Sequence, residues 1–163
     1  MSNRLIVCSD LDDTLRDSRS RHHLSPWVTG LHGKWSDYHI AASPDEPELP
    51  AATALRLLAP YYDIHIVSAV TQNAEHQVAE WLRAHRIPWA QIACLGSRNY
   101  QPGATSATLK RDYVQKLRAA GRQVALFFED LPSVVTEISS LGVPVIQSRA
   151  VCEKPCAHCA EAD

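Results

Sequence analysis

The sequence predicts an α/β fold, a largely parallel sheet between two layers of helices in a three-layer, Rossmann-like arrangement. Three observations carry this expectation. Short continuous apolar runs alternate with segments of helical period, and the runs lack the polar alternation of a strand with one wet face. Proline and glycine stand at the joints between segments. The 163 residues, 45% apolar, suffice for one cored domain with a small insert, and leave no room for a second catalytic domain of ordinary size.

The elements follow in order. Leu5-Ile6-Val7-Cys8 is the first run, Ile64 to Val67 the second and Ile92 to Leu95 the third. Val124 to Phe128 is the fourth and Val143 to Ile146 the fifth. A helix is expected over 51–60, opened by Pro50 and closed by Pro60. Val78, Trp81 and Leu82 share one face of a helix over about 73–85. Leu109, Tyr113 and Leu117 recur every fourth residue, and Gly121 follows as a stop. Val134, Val135, Ile138 and Leu141 form the last stripe, ended by Gly142 and Pro144. Right-handed crossovers then place the strands in one parallel sheet. Residues 1–150 are expected to form this domain and 151–163 a Cys-rich tail. Residues 16–49 have no clean period and are expected as a small lid after the first strand, with a short helix around 35–42. Ligands of such sheets bind beyond the carboxyl ends of the strands, where this lid would hang.

Charge and cysteine usage narrow the class. Lys plus Arg number 16 against 18 Asp plus Glu, which excludes nucleic-acid binding by bulk charge and leaves a local basic groove open. No apolar run has the length of a membrane span, and acids interrupt the early apolar stretch where a signal peptide would lie. Five cysteines, an odd number without such a leader, argue against a disulfide framework and for a cytoplasmic setting. Cys8 and Cys94 sit in apolar runs as core thiols. Cys152, Cys156, His158 and Cys159 crowd the tail. They have the ligand types of a zinc site but only half of the usual double-knuckle spacing, so a zinc-organised tail and a reduced, flexible one both stand as readings.

The first apolar run leads directly into Ser9-Asp10-Leu11-Asp12-Asp13-Thr14. Carboxylates clustered at the end of a buried strand need a cation among them, and Mg²⁺, which takes hard oxygen ligands, suits them. Asp10 and Asp12 are two apart, so one carboxylate can attack phosphorus while the other handles the leaving-group proton. Asp13 is expected to be a turn or cap residue.

The stretch Asp10-x-Asp12-x-Thr14 after an apolar strand resembles the first motif of the haloacid dehalogenase (HAD) superfamily of phosphohydrolases. Ile64-His65-Ile66-Val67-Ser68 resembles its second motif, Lys110 its third, and Leu126-Phe127-Phe128-Glu129-Asp130 its fourth. The resemblance covers residues 4–148 and implies a role for each residue. Asp10 would be the nucleophile that forms an aspartyl-phosphate. Asp12 would be general acid and then general base. Thr14 would hold the loop, Ser68 a phosphoryl oxygen, and Lys110 would neutralise charge on the phosphoryl group and Asp10. Mg²⁺ would be bound by Asp10, Asp130 and the Asp12 backbone carbonyl, with Glu129 as a further ligand or supporting base.

The insert 16–49 and the segment after Val134 resemble the 3′-phosphatase module of phage-type polynucleotide kinase-phosphatases. That likeness implies a nucleic-acid 3′-end or a nucleotide as substrate. Arg19, Arg21, Trp35, Tyr38 and Arg98 are the candidate contacts, since arginine forks clamp phosphates and aromatic rings stack on bases. Two arginines common in that family are replaced here by Val70 and Leu131, which leaves a mononucleotide or another small phosphomonoester open. There is no Gly-rich kinase loop of the Walker type, so the expectation is the phosphatase half without the kinase half. A 5′- or 3′-nucleotidase or small-metabolite phosphatase, and a catalytically silent binding protein with a zinc-organised tail, are the alternatives. Dehalogenation does not require the second acid, so Asp12 favours phosphate esters.

Overall fold

The computed structural model of the chain describes residues 4–29, 35–42, 45–47, 49–96 and 104–148. Five strands form one wholly parallel sheet: β1 Ile6–Ser9, β2 Asp63–Thr71, β3 Gln91–Gly96, β4 Val124–Glu129 and β5 Val145–Gln147. Their order is β3-β2-β1-β4-β5. The first strand is thus central, and later strands add first on one side of it and then on the other. That reversal makes the carboxyl end of β1 the switch point at which open α/β sheets build sites.

Every residue of β1 is buried, because both of its faces are covered. Val7 faces one core with Leu55, Val78, Trp81 and Leu82. Ile6 and Cys8 face the other with Val114, Val134 and Ile138. The first core is capped by α3 Leu49–Leu58 and α4 Glu75–Ala84, the second by α5 Ser106–Ala119 and α6 Pro132–Ser140. Alternation along a single strand therefore assigns its side chains to the two layers.

Local chemistry fixes the helix ends. At the start of α5 the Thr105 hydroxyl accepts from the Thr108 backbone N–H at 3.1 Å, and the Thr108 hydroxyl accepts from the Thr105 N–H at 2.9 Å, a reciprocal cap. Pro132 opens α6 at a position where its missing N–H costs nothing. Gly121 and Gly142, at φ of 72° and 73°, end α5 and α6 in the left-handed conformation a side chain would resist.

Between β1 and α3 lies the insert, with a 3-10 turn Arg19–Leu24, a short helix α1 Pro26–Thr29 and α2 Trp35–Ile40. Its two ends meet: Arg16 bridges Pro47 in antiparallel fashion, and the Asp17 N–H donates to the Glu46 carbonyl at 2.8 Å. Among the described residues, no helix is long and apolar enough to cross a membrane. The cysteines and histidine of the tail, Cys152, Cys156, His158 and Cys159, lie outside the described residues, and so does Arg98.

Candidate active site

Two adjacent strands deliver the acids. Asp10 leaves the end of β1 and its N–H donates to the Phe128 carbonyl of β4 at 2.9 Å. Glu129 ends β4, and Asp130 follows it. Carboxylate oxygens of Asp10, Glu129 and Asp130 lie within 4.8 Å of one another. Lys110, in the second turn of α5, brings its ammonium among them: Nζ donates to Asp10 Oδ1 at 2.5 Å and to Glu129 Oε2 at 2.7 Å. Lys110 is 1% exposed and Asp10 5%, so the pair is made in a medium where charge is costly.

The electrostatics follow from this crowding. Burial pushes the Asp10 carboxyl up, the Lys110 ammonium opposes it, and Glu129 adds to it; the outcome is a rise to about 7. Asp130 is pushed up to about 9, first by burial and then by the charges of Asp10 and Glu129. Lys110 is held protonated well above its ordinary value: burial works against the charge, but Asp10 and Glu129 outweigh it. When all three are ionised, the carboxylates facing this one ammonium leave an excess of two negative charges. A divalent cation matches that excess, and the all-oxygen donor set fits Mg²⁺. Glu129 has both oxygens engaged, Oε2 by Lys110 and Oε1 by the N–H groups of Asp130 and Leu131 at 3.3 and 3.2 Å. It is thus placed to hold Lys110 more than to ligate metal. Thr14 donates to Asp130 Oδ1 at 3.1 Å, tying the β1 loop to the β4 end.

The Asp12 side chain lies apart from the acid cluster. Arg16 Nε donates to its Oδ1 at 2.6 Å, and Arg21 donates to the same oxygen. Burial would raise this carboxyl, but the two guanidinium groups prevail and hold it down at about 2. Its side chain therefore takes no place in the cluster, which leaves only its backbone carbonyl for the expected metal contact. Asp13 adopts a left-handed φ of 62°, and its Oδ1 accepts from the Ser18 N–H and hydroxyl at 3.1 and 2.6 Å, so it shapes the turn. Ser68 is buried in β2, which runs on to Thr71, and its Oγ accepts from the Val70 N–H at 3.3 Å.

The insert's candidate contacts divide. Arg19 sits on the surface, paired with Asp17. Arg21 is turned inward: its guanidinium carbon lies 4.0 Å from the Tyr38 ring centroid and it donates to Asp45 and to the Tyr38 carbonyl. Tyr38 is itself buried. Trp35 stacks on His39 with centroids 5.8 Å apart. His39, singled out by no motif, accepts from the Thr71 N–H at Nδ1 (3.2 Å) and so ties α2 to the end of β2. Arg16 and Asp45 likewise belong to no motif, and no spacing rule pairs residues 29 apart. A cavity of about 410 Å³ is lined by Asp13, Thr14, Pro50 and Phe128 among others, but by neither Asp10 nor Lys110.

Comparison with known proteins places the fold. No protein-family model and no curated protein sequence matches the chain. Among solved structures, the Pnkp1/Rnl/Hen1 RNA repair complex contains a chain similar at a TM-score of 0.70 and 17% identity, over 90% of this chain and 42% of that one. The class C acid phosphatase from Bacillus anthracis is similar at 0.62 and 20%, over 91% of this chain and 67% of that one. A haloacid dehalogenase-like hydrolase family protein from Streptococcus pneumoniae is similar at 0.60 and 16%, over 90% and 85%. The chain spans less than half the length of the matched chain in the RNA repair complex. The fold is that of HAD-like hydrolases.

Proposed function

We propose that the chain is a Mg²⁺-dependent phosphomonoesterase working through an aspartyl-phosphate on Asp10, with a nucleic-acid 3′-phosphate or a nucleotide as substrate. The observation that carries the reading is the buried Lys110 ammonium bridging Asp10 and Glu129 beside Asp130, at the carboxyl ends of two neighbouring central strands. Phosphoryl transfer chiefly requires positioning and cancellation of negative charge, and that arrangement provides both. Bound Mg²⁺, held by Asp10, Asp130 and the Asp12 carbonyl, would supply further positive charge to the phosphoryl oxygens.

In the first half-reaction an Asp10 oxygen attacks phosphorus, the P–O bond to the leaving group breaks, and Asp12 gives its proton to the departing alkoxide. In the second, Asp12 takes a proton from water as its oxygen attacks the same phosphorus. Inorganic phosphate leaves and the Asp10 carboxylate is restored. Asp12 as held by Arg16 and Arg21 is a carboxylate, the form that the second half-reaction uses. Proton donation in the first requires Asp12 to take up a proton as the negatively charged phosphate enters. Lys110 and Ser68 would steady the phosphoryl group throughout.

Likeness to a chain of an RNA repair complex supports a nucleic-acid end as substrate. A small phosphomonoester is the second reading, and a specific observation favours it. Arg21 and Tyr38 are spent inside the insert, and buried Val70 and half-exposed Leu131 stand where related enzymes carry arginines. A substrate panel with and without Mg²⁺ separates the two: 3′-phosphorylated oligonucleotide, nucleoside 3′- and 5′-monophosphates, and sugar phosphates. Asp10→Asn is expected to abolish phosphate release on all of them while the protein stays folded by circular dichroism; full turnover by that variant would remove the mechanism.

A further inference from the structure

We propose that Arg16 and Asp45 are positioning residues for Asp12. With Arg21 they close a square of charge that fixes which way the Asp12 carboxylate faces, and so serve proton transfer at the leaving oxygen rather than attack by Asp10. The inference deepens the phosphatase reading above and rests on it.

The square is built from two oxygens and two guanidinium groups. Asp12 Oδ1 takes Arg16 Nε at 2.6 Å and also takes Arg21. Asp45 Oδ2 takes Arg21 Nε at 2.6 Å and lies 3.8 Å from Arg16 Nε. Both of these arginine contacts to Asp12 land on one oxygen, Oδ1. Ser20 Oγ donates to the other Asp45 oxygen at 3.1 Å and fixes that carboxylate in turn. Side-chain exposure shows which corner is the working one. Arg16, Arg21 and Asp45 are 1%, 3% and 0% exposed, whereas Asp12 is 18% exposed. Three buried charges thus support one that reaches solvent.

Trp81 of α4 braces the square from beneath. Arg16 lies over its ring with the guanidinium carbon 5.5 Å from the centroid, and its Nε1–H donates to the Asp45 carbonyl at 2.8 Å. Fold stability gives a poor reason for such a cluster. A buried ion network is often no more stable than apolar side chains of the same volume. Arg16 also leaves both terminal nitrogens buried without a hydrogen-bond partner, an unmade-bond cost that an apolar residue would not carry. What an apolar residue cannot do is hold a carboxylate at one orientation.

A leaving-group comparison tests this. p-Nitrophenolate departs without needing a proton, whereas the ribose alkoxide of a nucleoside 3′-monophosphate needs one. Asp12→Asn sets the scale of the difference between the two esters. Asp45→Asn is expected to lower the single-turnover rate of nucleoside release from the nucleotide by about tenfold or more, within the usual range for general acid–base catalysis, while the pre-steady-state burst of p-nitrophenolate, which leaves before Asp12 acts on water, changes by less than about threefold. Equal losses on both esters, or no loss on either, would overturn the proposal. If Asp45→Asn does not fold, Arg16→Gln with Asp45→Asn keeps the local charge balanced and carries the same comparison. If neither variant folds, the square is a structural element only and the proposal is overturned. Asp10→Asn, run in parallel, separates the layers. Turnover surviving there removes the aspartyl-phosphate mechanism itself, whereas its loss there with uniform losses at Asp45 removes only the positioning role.

Discussion

Lys110 is the residue on which the centre of the site balances. Its ammonium sits between Asp10 at 2.5 Å and Glu129 at 2.7 Å, with almost no access to water. Removing one partner of a buried ion pair strands the other, and here two carboxylates would be stranded together. Lys110→Met keeps the length of the side chain and removes only the charge. It is expected to lower stability by about 3–5 kcal/mol in Mg²⁺-free urea denaturation, because an uncompensated buried charge costs that much. Added Mg²⁺ should recover part of the loss without restoring turnover. A loss below about 1 kcal/mol, the worth of an exposed pair, would mean that the carboxylates do not both depend on this lysine for their charge.

At the scale of elements, α5 exists to present that lysine. It is 14 residues long, and its first turn is closed by the Thr105–Thr108 cap five residues ahead of Lys110. Thr105→Ala removes the acceptor for the Thr108 N–H and should cost about 1 kcal/mol in global stability, as other N-cap losses do, with little effect on the core. Thermal melts of the two proteins check it. Elements of this kind were legible in the sequence because burial on both faces leaves continuous apolar runs, and helices over them leave stripes. Asp10, Asp12 and Asp130 stand out in the sequence because they follow such runs, whereas Lys110 lies off the Leu109-Tyr113-Leu117 stripe and is offered by the motif resemblance alone. The insert was not legible. Its organisation rests on ion pairs and on a cation over a ring, which have no period. Arg21 and Tyr38 therefore read as substrate contacts, although they face each other. The end of β2 was hidden for another reason. After Ser68 the register against β3 shifts, and Thr71 pairs with Gly96, so the strand outlasts the apolar run that announced it.

For the molecule as a whole, the crowded acids make stability depend on pH and metal together. Asp130 is raised in the folded state, so its favourable contribution is complete below its ordinary value of 3.8 and is lost as pH climbs toward about 9. The metal-free protein should accordingly weaken across that interval, as Asp130 and Asp10 are forced to ionise beside Glu129. A divalent cation binds the ionised form and must displace protons at lower pH. The rise in Tm on adding Mg²⁺ should thus be larger at pH 8.5 than at pH 6 in differential scanning fluorimetry; an increment that shrinks with pH would contradict the assignment of these acids as ligands. The joined ends of the insert carry a different consequence, one of chain entropy. Because Arg16 meets Pro47 and Asp17 meets Glu46, the excursion between them is closed by its own neck. Lengthening a closed loop costs little, about 0.6 kcal/mol for each doubling. The excursion can therefore change size while the neck, and with it β1 and α3, stays put.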